Sequence, residues 1–339
     1  MADTDVSILT HSDEPVWQAY VNSHPDATIY HTLEWRDIIY NEYKFEPVYL
    51  MAKAEGTVVG VLPMFLINNL RGRRFVSLPF SIYGGPLGDT GPVTSALLAR
   101  CIEMVSEGKA NSLEIRPGRQ IDCAETLGFA PLAWGVGTIM DLTVGQDALW
   151  SSLAERFNVL KGAKKGLRFI LTDGERLKEF YRLQLMTRRR LGLPTPSFGY
   201  YESFFKWLPG MAKLAIVEKD GKAIAGDLFF TYKDDVLLAL NVSDREYRDY
   251  KPNDFMIWSI AEWACKAGFK RLDHGPVSFE EKGLLHFKKK WGGETVKASR
   301  YYYPDITKKA IQAKGSYLFK VIPEEIAGLA GSMVIRLFG

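Results

Sequence analysis

The chain has 339 residues, of which 47% are hydrophobic and 24% charged, and its formal net charge is +3. This length fits two domains or one large one, and the composition excludes wholesale disorder. No uncharged run is long enough to cross a bilayer. The acidic N-terminus lacks the basic and apolar stretches of a signal peptide, so we expect no export of the chain.

Charge is divided unevenly along the sequence. Residues 1–150 carry 10 Lys and Arg against 18 Asp and Glu, whereas residues 151–339 carry 33 against 22. An acidic half followed by a basic half predicts two units, the second of which faces an anion. Phosphate, nucleic acid and a membrane surface all remain open at this point.

The three cysteines, Cys101, Cys123 and Cys265, form no CxxC pair and cannot all pair with one another. That usage is typical of buried thiols in a reducing compartment. We therefore expect a cytoplasmic protein.

Two stretches of the chain repeat one pattern. Residues 48–67 and 212–232 each read as two apolar strands joined by an acid-Gly turn, which is a strong hairpin signal. Each is followed by an apolar-faced helix and a strand, at 95–117 and 254–276. The alternation predicts an α/β (or α+β) protein with a duplicated domain, although chance similarity between two α/β units would give the same pattern.

A basic segment separates the two copies. Residues 149–170 read as a helix with five bases and one acid, and a domain boundary falls naturally near residue 145. The predicted domains are 1–145 and 146–303, the first completed by 304–339. Residues 316–339 read as an apolar-faced terminal helix broken at Pro323, which either packs on the body or makes a peripheral membrane contact.

Several chemistries have no sequence support. The five histidines form no HxxxH or Cys/His cluster, so no metal site is expected. GxSxG, GxxxxGK[ST] and GxGxxG are all absent, which argues against serine hydrolases and common nucleotide folds. The segment YGGPLG at 83–88 either lets backbone approach a ligand closely or forms a plain turn.

Two further segments carry clustered positive charge. TRRRLGLPTP at 187–196 reads as a helix end, where the arginines either complement the helix dipole or face an anion. In GLLHFKKKWGGE at 283–294, Phe287 and Trp291 would anchor the segment while lysines project from it. A lysine held beside a buried aromatic supplies a fixed charge that stabilises an oxyanion or a leaving phosphate ester.

Taken together, these motifs resemble the Fem-type peptidyltransferases and their FemAB-like relatives, over nearly the whole chain. The resemblance rests on YHTLEWRDIIYNEYKFEPVYLMAKAEGTVVGVLPMF (30–65), SLPFSIYGGPL (77–87), LEIRP (113–117), RRRLGLPTP and, most specifically, LDHGPVSFEEKGLLHFKKKWGGE (272–294). It implies two tandem GNAT (acyl-CoA N-acyltransferase) domains, each a mixed sheet flanked by helices, with a cleft between them.

The resemblance also implies a reaction. The family moves an acyl or aminoacyl group from an activated donor to an amine, so the co-substrate would be aminoacyl-tRNA or acyl-CoA, with no tightly bound cofactor. The expected acceptor is a phosphate-bearing small molecule or a lipid-linked substrate of peptidoglycan, cell-envelope or exopolysaccharide assembly. This places the protein in the cytoplasm or at the inner face of the membrane, with tRNA as a partner if aminoacyl-tRNA is the donor.

Site residues follow from the motifs by position. The Lys after the motif's Phe is Lys288, which the resemblance assigns to charge stabilisation of the transition state and leaving group. Asp273 and His274, at a strand end before a glycine, are candidates for proton transfer or positioning, although the position of Asp273 favours a turn cap over catalysis. The predicted substrate-binding residues are Arg36, Tyr83, Arg116, Arg156, Lys161, Lys164, Lys165, Arg188 and Phe287.

A second function stays open from the residues alone. The basic second half would also suit a non-catalytic module that binds RNA or an anionic glycan or lipid. No aromatic-rich RNA-binding signature accompanies the charge, which favours the enzyme.

Overall fold

A computed structural model describes residues 4–308 and 324–338. These residues form two units. The first comprises 4–134, 297–308 and 336–338, and the second comprises 135–296 and 324–335. The domain limits predicted from the sequence, at residues 145 and 303, stay a prediction.

Ten α-helices occur in the described part of the chain. They are α1 (Glu14–Ser23), α2 (Leu33–Tyr43), α3 (Gly91–Ser106), α4 (Gln146–Ser152), α5 (Arg156–Lys164), α6 (Leu177–Leu191), α7 (Phe198–Trp207), α8 (Pro252–Lys266), α9 (Lys282–Lys289) and α10 (Glu324–Phe338). Short 3-10 helices lie at His11–Asp13, Ile29–His31 and Arg245–Tyr250.

The described residues also form sixteen strands. They are β1 (Thr4–Ile8), β2 (Glu46–Pro47), β3 (Leu50–Ala54), β4 (Thr57–Leu62), β5 (Phe65–Asn69), β6 (Gly72–Val76), β7 (Leu87–Gly88), β8 (Ser112–Ile115), β9 (Ala130–Asp141), β10 (Arg168–Thr172), β11 (Ala212–Lys219), β12 (Lys222–Tyr232), β13 (Asp235–Ser243), β14 (Arg271–Asp273), β15 (Val277–Ser278) and β16 (Glu294–Tyr303).

The first unit contains two groups of paired strands. One is antiparallel with the order β1-β3-β4-β7, and the other has the order β16-β8-β6-β5-β2, in which β6 and β8 run parallel. Helix α3 packs Leu97, Leu98 and Cys101 into a core that includes Leu50 and Leu62 of the β3–β4 hairpin. The apolar side chains of both strands and helix are therefore buried together, which stabilises the unit.

Both hairpins predicted from acid-Gly turns are present. β3 pairs antiparallel with β4 around Glu55-Gly56, and β11 pairs antiparallel with β12 around Asp220-Gly221. All four turn residues have positive φ, which matches the twist of the flanking strands. The predicted helix–strand pairs are present as α3 with β8 and as α8 with β14.

The second unit is a mixed sheet with helices on it. Its strand order is β10-β11-β12-β13-β14-β9, with β15 paired to β9. All neighbours are antiparallel except β13 and β14, which run parallel because α8 crosses over between them. Met256, Ile260 and Ala264 of α8 join the core formed with Val217 and Phe229 of the sheet.

Helices α6 and α7 also pack on strands of this sheet. The Phe204 ring of α7 meets the Phe230 ring of β12 with centroids 5.1 Å apart. Helix α7 begins at Ser197, whose Oγ accepts a hydrogen bond from the Tyr200 N–H at 3.0 Å. Helix α6 ends at Gly192 in the left-handed region (φ 70°), as TRRRLGLPTP predicts.

The basic segment differs from the single helix predicted over 149–170. It is divided into α4 and α5, since Leu153 turns to an extended conformation (φ −71°, ψ 121°) and buries its side chain. Of the predicted terminal helix, 324–338 is helical as α10, whereas 316–323 lies outside the described residues. Within 4–308 and 324–338, no helix has both the length and the apolar character needed to span a bilayer.

Candidate functional site

A lysine amino group is held where strand β14 ends. Lys288 Nζ donates hydrogen bonds to the carbonyl oxygens of His274 and of Gly275, the latter at 3.1 Å. Gly275 has φ of 68°, a left-handed conformation, and its N–H donates to Asp273 Oδ1 at 2.7 Å. The turn 273–275 thus points two carbonyls at the lysine.

Burial and neighbouring carboxylates shift the pKa of Lys288 in opposite directions. Burial lowers the pKa of the Lys288 amino group, because the charged form loses hydration. The carboxylates of Asp227 and Asp273 oppose that shift by attraction. Lys288 is therefore a partly desolvated cation with fixed direction, which is the type of group that stabilises negative charge developing on a reacting oxygen.

Asp227 is a buried carboxyl in the middle of β12. Its exposed fraction is 0%, and burial raises its pKa to about 7. Hydrogen bonds from Asn241 Nδ2 at 3.2 Å and from the Leu240 N–H at 3.4 Å favour its ionised form. Pairing of β12 with β13 shifts register between Leu228 and Phe229, and such a bulge re-aims backbone N–H groups.

His274 lies beside the lysine but is a weak base. It is 1% exposed, and burial, together with the nearby Lys288 cation, lowers its pKa to about 3. Neither ring nitrogen has a hydrogen-bond partner in the described part of the chain, and the same holds for Trp291 Nε1. The two rings lie 6.1 Å apart between centroids. These polar atoms are available to a bound polar group or to water.

Helix α9 and the residues that follow it supply the aromatic support that the sequence predicts. The Phe287 and Trp291 rings meet edge to face with centroids 6.4 Å apart, and Trp291 is buried. Lys290 Nζ pairs with Glu155 Oε1 at 3.0 Å, so the end of α9 lies beside the start of α5. Arg156, the next residue, is exposed.

The other predicted residues of the second unit lie on or next to α5 and on α6. Lys164 and Lys165 are exposed and Lys161 is partly exposed on α5. Arg188 Nε donates to the Pro194 carbonyl at 2.7 Å, so this arginine holds the chain that follows α6. Substrate binding by these residues stays a prediction.

In the first unit, two predicted residues are neighbours. The Gly84 N–H next to Tyr83 donates to the Arg116 carbonyl at 2.7 Å. Arg36, in contrast, is committed to ion pairs, with Glu14 at 2.7 Å and with Asp37 at 2.9 Å. Substrate binding by Arg36, Tyr83 and Arg116 likewise stays a prediction.

The sheet of the first unit carries a group of three arginines around one carboxylate. Glu114 of β8 is paired with Arg116 at 2.7 Å and Arg300 at 3.4 Å. Burial by itself would raise the pKa of Glu114, yet Arg116 and Arg300 hold it below its usual range. Arg74 of β6 is partly buried, which lowers its pKa, and Arg300 also stacks over the Trp134 ring at 5.1 Å. One acid and three bases leave this group with net positive charge.

Sequence reasoning missed Asp227, Arg74 and Arg300. A signal for Asp227 exists, since an acid inside the apolar strand sequence AIAGDLFF is unusual and must be satisfied by polar neighbours. Arg74 directly follows Arg73, and Arg300 lies three residues after Lys297, so nothing local separates them from solvated surface residues.

Comparisons with known proteins show a GNAT acyltransferase fold. Residues 155–289 match the family model described as an acetyltransferase (GNAT) domain, so the recognition of GNAT architecture in this part is confirmed. The predicted α/β class with tandem GNAT domains is confirmed as well.

Solved structures with this fold cover most of the chain. FemX superimposes with a TM-score of 0.70 at 17% identity, covering 91% of this chain and 100% of FemX. The C-terminal domain of a protein assigned as a lysylphosphatidylglycerol synthetase in Agrobacterium fabrum gives 0.61 at 14%, covering 96% and 98%. A tandem GNAT protein from the clavulanic acid biosynthesis pathway gives 0.56 at 13%, covering 88% and 98%. A search of curated proteins gave no match. At these identities the likeness shows the fold.

Proposed function

We propose that the protein transfers an acyl or aminoacyl group from an activated donor to an amine acceptor, in assembly of the cell envelope. The observation that carries this proposal is Lys288, a desolvated cation held by two backbone carbonyls in a domain of GNAT fold. The similarity to FemX and to a lysylphosphatidylglycerol synthetase domain supports envelope chemistry, whereas the link to exopolysaccharide stays a prediction.

The reaction balances without any further reagent. A neutral amine attacks the donor carbonyl, the new C–N bond forms, and the bond to the leaving group breaks. The proton released by the amine goes to the leaving thiolate or alkoxide. In this proposal Lys288 stabilises the negative charge that develops on the carbonyl oxygen or leaving group. With a pKa of about 3, His274 is poorly suited to remove the proton at neutral pH.

The substrate-binding role predicted for Arg116 gains support from its surroundings. Arg74 and Arg300 add two guanidinium groups beside Glu114, and each guanidinium can donate two parallel hydrogen bonds to a phosphate or carboxylate. We propose that this group in the first unit binds a phosphate or carboxylate of a substrate.

Transfer is tested with acyl-CoAs and aminoacyl-tRNAs as donors and a panel of amines, with product detection by mass spectrometry. Lys288→Met is expected to lower kcat about 100- to 1,000-fold, as loss of one oxyanion-stabilising group does. Lys289→Met removes the exposed neighbouring lysine and serves as the matched control, with kcat within about twofold of the natural chain.

Two outcomes would contradict the proposal. One is a Lys288→Met protein that folds and retains full transfer. The other is the absence of transfer with every donor while the chain binds RNA or an anionic glycan with steep salt dependence, which would establish the binding module instead.

A further inference from the structure

The outward face of α5 exposes apolar side chains among bases. Phe157 is 80% exposed and Leu160 is 47% exposed. Their spacing of three residues places them on one side of the helix, together with Arg156, Lys161 and Lys164. Two large apolar residues directed into water are a liability for a protein unless a partner covers them.

Packing against α8 fixes which side of α5 faces outward. Val159 is 4% exposed, and Gly162 is buried on the same side. A Cβ at Gly162 would lie 3.1 Å from Phe255 Cβ of α8, so the two helices approach closely there. The helix therefore cannot turn to bury Phe157 without losing this contact.

The charge on this face is uncompensated. Within residues 4–308 and 324–338, Arg156, Lys161 and Lys164 have no acidic partner. Lys165 meets the Tyr250 ring at 5.9 Å, and Glu155, the acid that precedes the helix, is 7% exposed and paired with Lys290. The face thus combines unpaired cations with exposed apolar side chains.

An apolar cavity of about 530 Å³ opens beside α5 in the same unit. Its walls come from α4, α5, β10 and α8, and Leu160 belongs both to these walls and to the outward face. The aromatic residues that line the cavity are Trp150, Phe169, Phe255, Trp258 and Trp263. Such a lining offers aliphatic chains a surface that water does not solvate well.

We propose that this face of α5 docks the protein on an anionic phospholipid bilayer, with Phe157 and Leu160 in the interface and the bases at lipid phosphates. Helices with Phe and Leu among Lys and Arg bind this boundary through buried apolar area plus attraction to anionic lipid. A second copy of the chain would oppose like charges. Free phosphate would leave both apolar side chains in water. The proposal does not depend on the transfer reaction.

Co-sedimentation with vesicles tests the proposal on the full chain. The natural chain is expected to bind vesicles of phosphatidylcholine and phosphatidylglycerol, to bind phosphatidylcholine alone weakly, and to lose binding as salt is raised. Phe157→Ser combined with Leu160→Ser, and separately Lys161→Gln combined with Lys164→Gln, should each weaken partitioning at least tenfold, since each cation near such a surface contributes about fivefold.

Matched variants separate the α5 face from general stickiness. Leu70→Ser removes an apolar side chain that is 72% exposed in the first unit, and Lys178→Gln removes an exposed lysine of α6. Both should bind vesicles as the natural chain does, and thermal unfolding shows whether each variant is folded. The proposal is overturned if the natural chain does not bind anionic vesicles, if the α5 variants bind like these controls, or if inorganic phosphate or RNA displaces the vesicles completely at an ionic strength at which sodium chloride does not.

Discussion

At the scale of single residues, the arrangement around Lys288 depends on which groups are charged. Two carbonyl oxygens fix the direction of the Lys288 amino group. Burial lowers the pKa of this amino group, whereas Asp227 and Asp273 raise it. Asp227 is the more unusual group, because a carboxyl with no exposed surface is in effect a titratable core residue. Its titration therefore connects site electrostatics to stability.

Asp227 predicts a specific pH dependence of the free energy of unfolding. Its pKa is raised from 3.8 to about 7 in the folded protein, so the folded state holds the proton more tightly than the unfolded chain. The stability from that proton is fully present below pH 3.8 and is lost as pH rises through about 7. Between these pH values the free energy of unfolding should fall by up to about 1.4 kcal/mol per pH unit because of Asp227, and Asp227→Asn should remove this contribution.

The measurement is urea unfolding of the natural chain and of Asp227→Asn at several pH values. His274, whose pKa is lowered to about 3, contributes the opposite slope between about 3 and 6.5 and is the same in both proteins. The difference between the two proteins therefore isolates Asp227. Equal slopes would show that the carboxyl titrates normally.

At the scale of elements, the turn between β14 and β15 determines where Lys288 points. Because Gly275 adopts a left-handed conformation, its own carbonyl and that of His274 both reach the lysine. The turn is stabilised locally by the hydrogen bond to Asp273. The hydrogen bonds between this three-residue turn and Lys288 thus link the end of β14 to α9.

Replacing the glycine of this turn should affect stability and activity together. Gly275→Ala is expected to cost about 1–2 kcal/mol, because φ of 68° brings a Cβ against the backbone. Displacement of the carbonyls should also lower kcat. Gly283→Ala in α9 is the matched control, since a Cβ there meets nothing within 4 Å, and alanine should stabilise the helix by up to about 1 kcal/mol. Thermal unfolding and kcat of both variants decide the matter, and a Gly275→Ala protein indistinguishable from the control would refute this role.

At the scale of the whole molecule, cysteines report on the core of the first unit. All three thiols are free, and Cys101 on α3 is 0% exposed. Burial raises the pKa of the Cys101 thiol, so its reactive thiolate is scarce.

Thiol labelling of the folded protein should therefore spare Cys101. We expect Cys101 to react only when the core formed by α3 opens, with the urea dependence of global unfolding. Cys123 and Cys265 are partly exposed and should react earlier. Mass spectrometry of labelled peptides measures each site, and rapid labelling of Cys101 without denaturant would contradict this packing.

Local sequence patterns predict much of the fold. Acid-Gly turns between apolar runs specified both hairpins, because those turns need positive φ and match strand twist. The arginines before Gly192 predicted the end of α6 for the same kind of local reason. The basic segment was predicted less well, because the burial of Leu153 that divides α4 from α5 depends on contacts distant in sequence.

By itself the sequence predicted the α/β class, from alternating strand and helix patterns, and both hairpins, from turn chemistry that is expressed within a few residues. Lys288 became the candidate cation through the resemblance of its motif to a known family. Tertiary structure decided which groups face one another. Asp227 lies 61 positions before Lys288 along the chain and Glu114 lies far from Arg300, so no local pattern encodes either electrostatic pairing. Likewise, the bases of α5 are plain from the sequence, but only packing against α8 decides that Phe157 and Leu160 face outward with them.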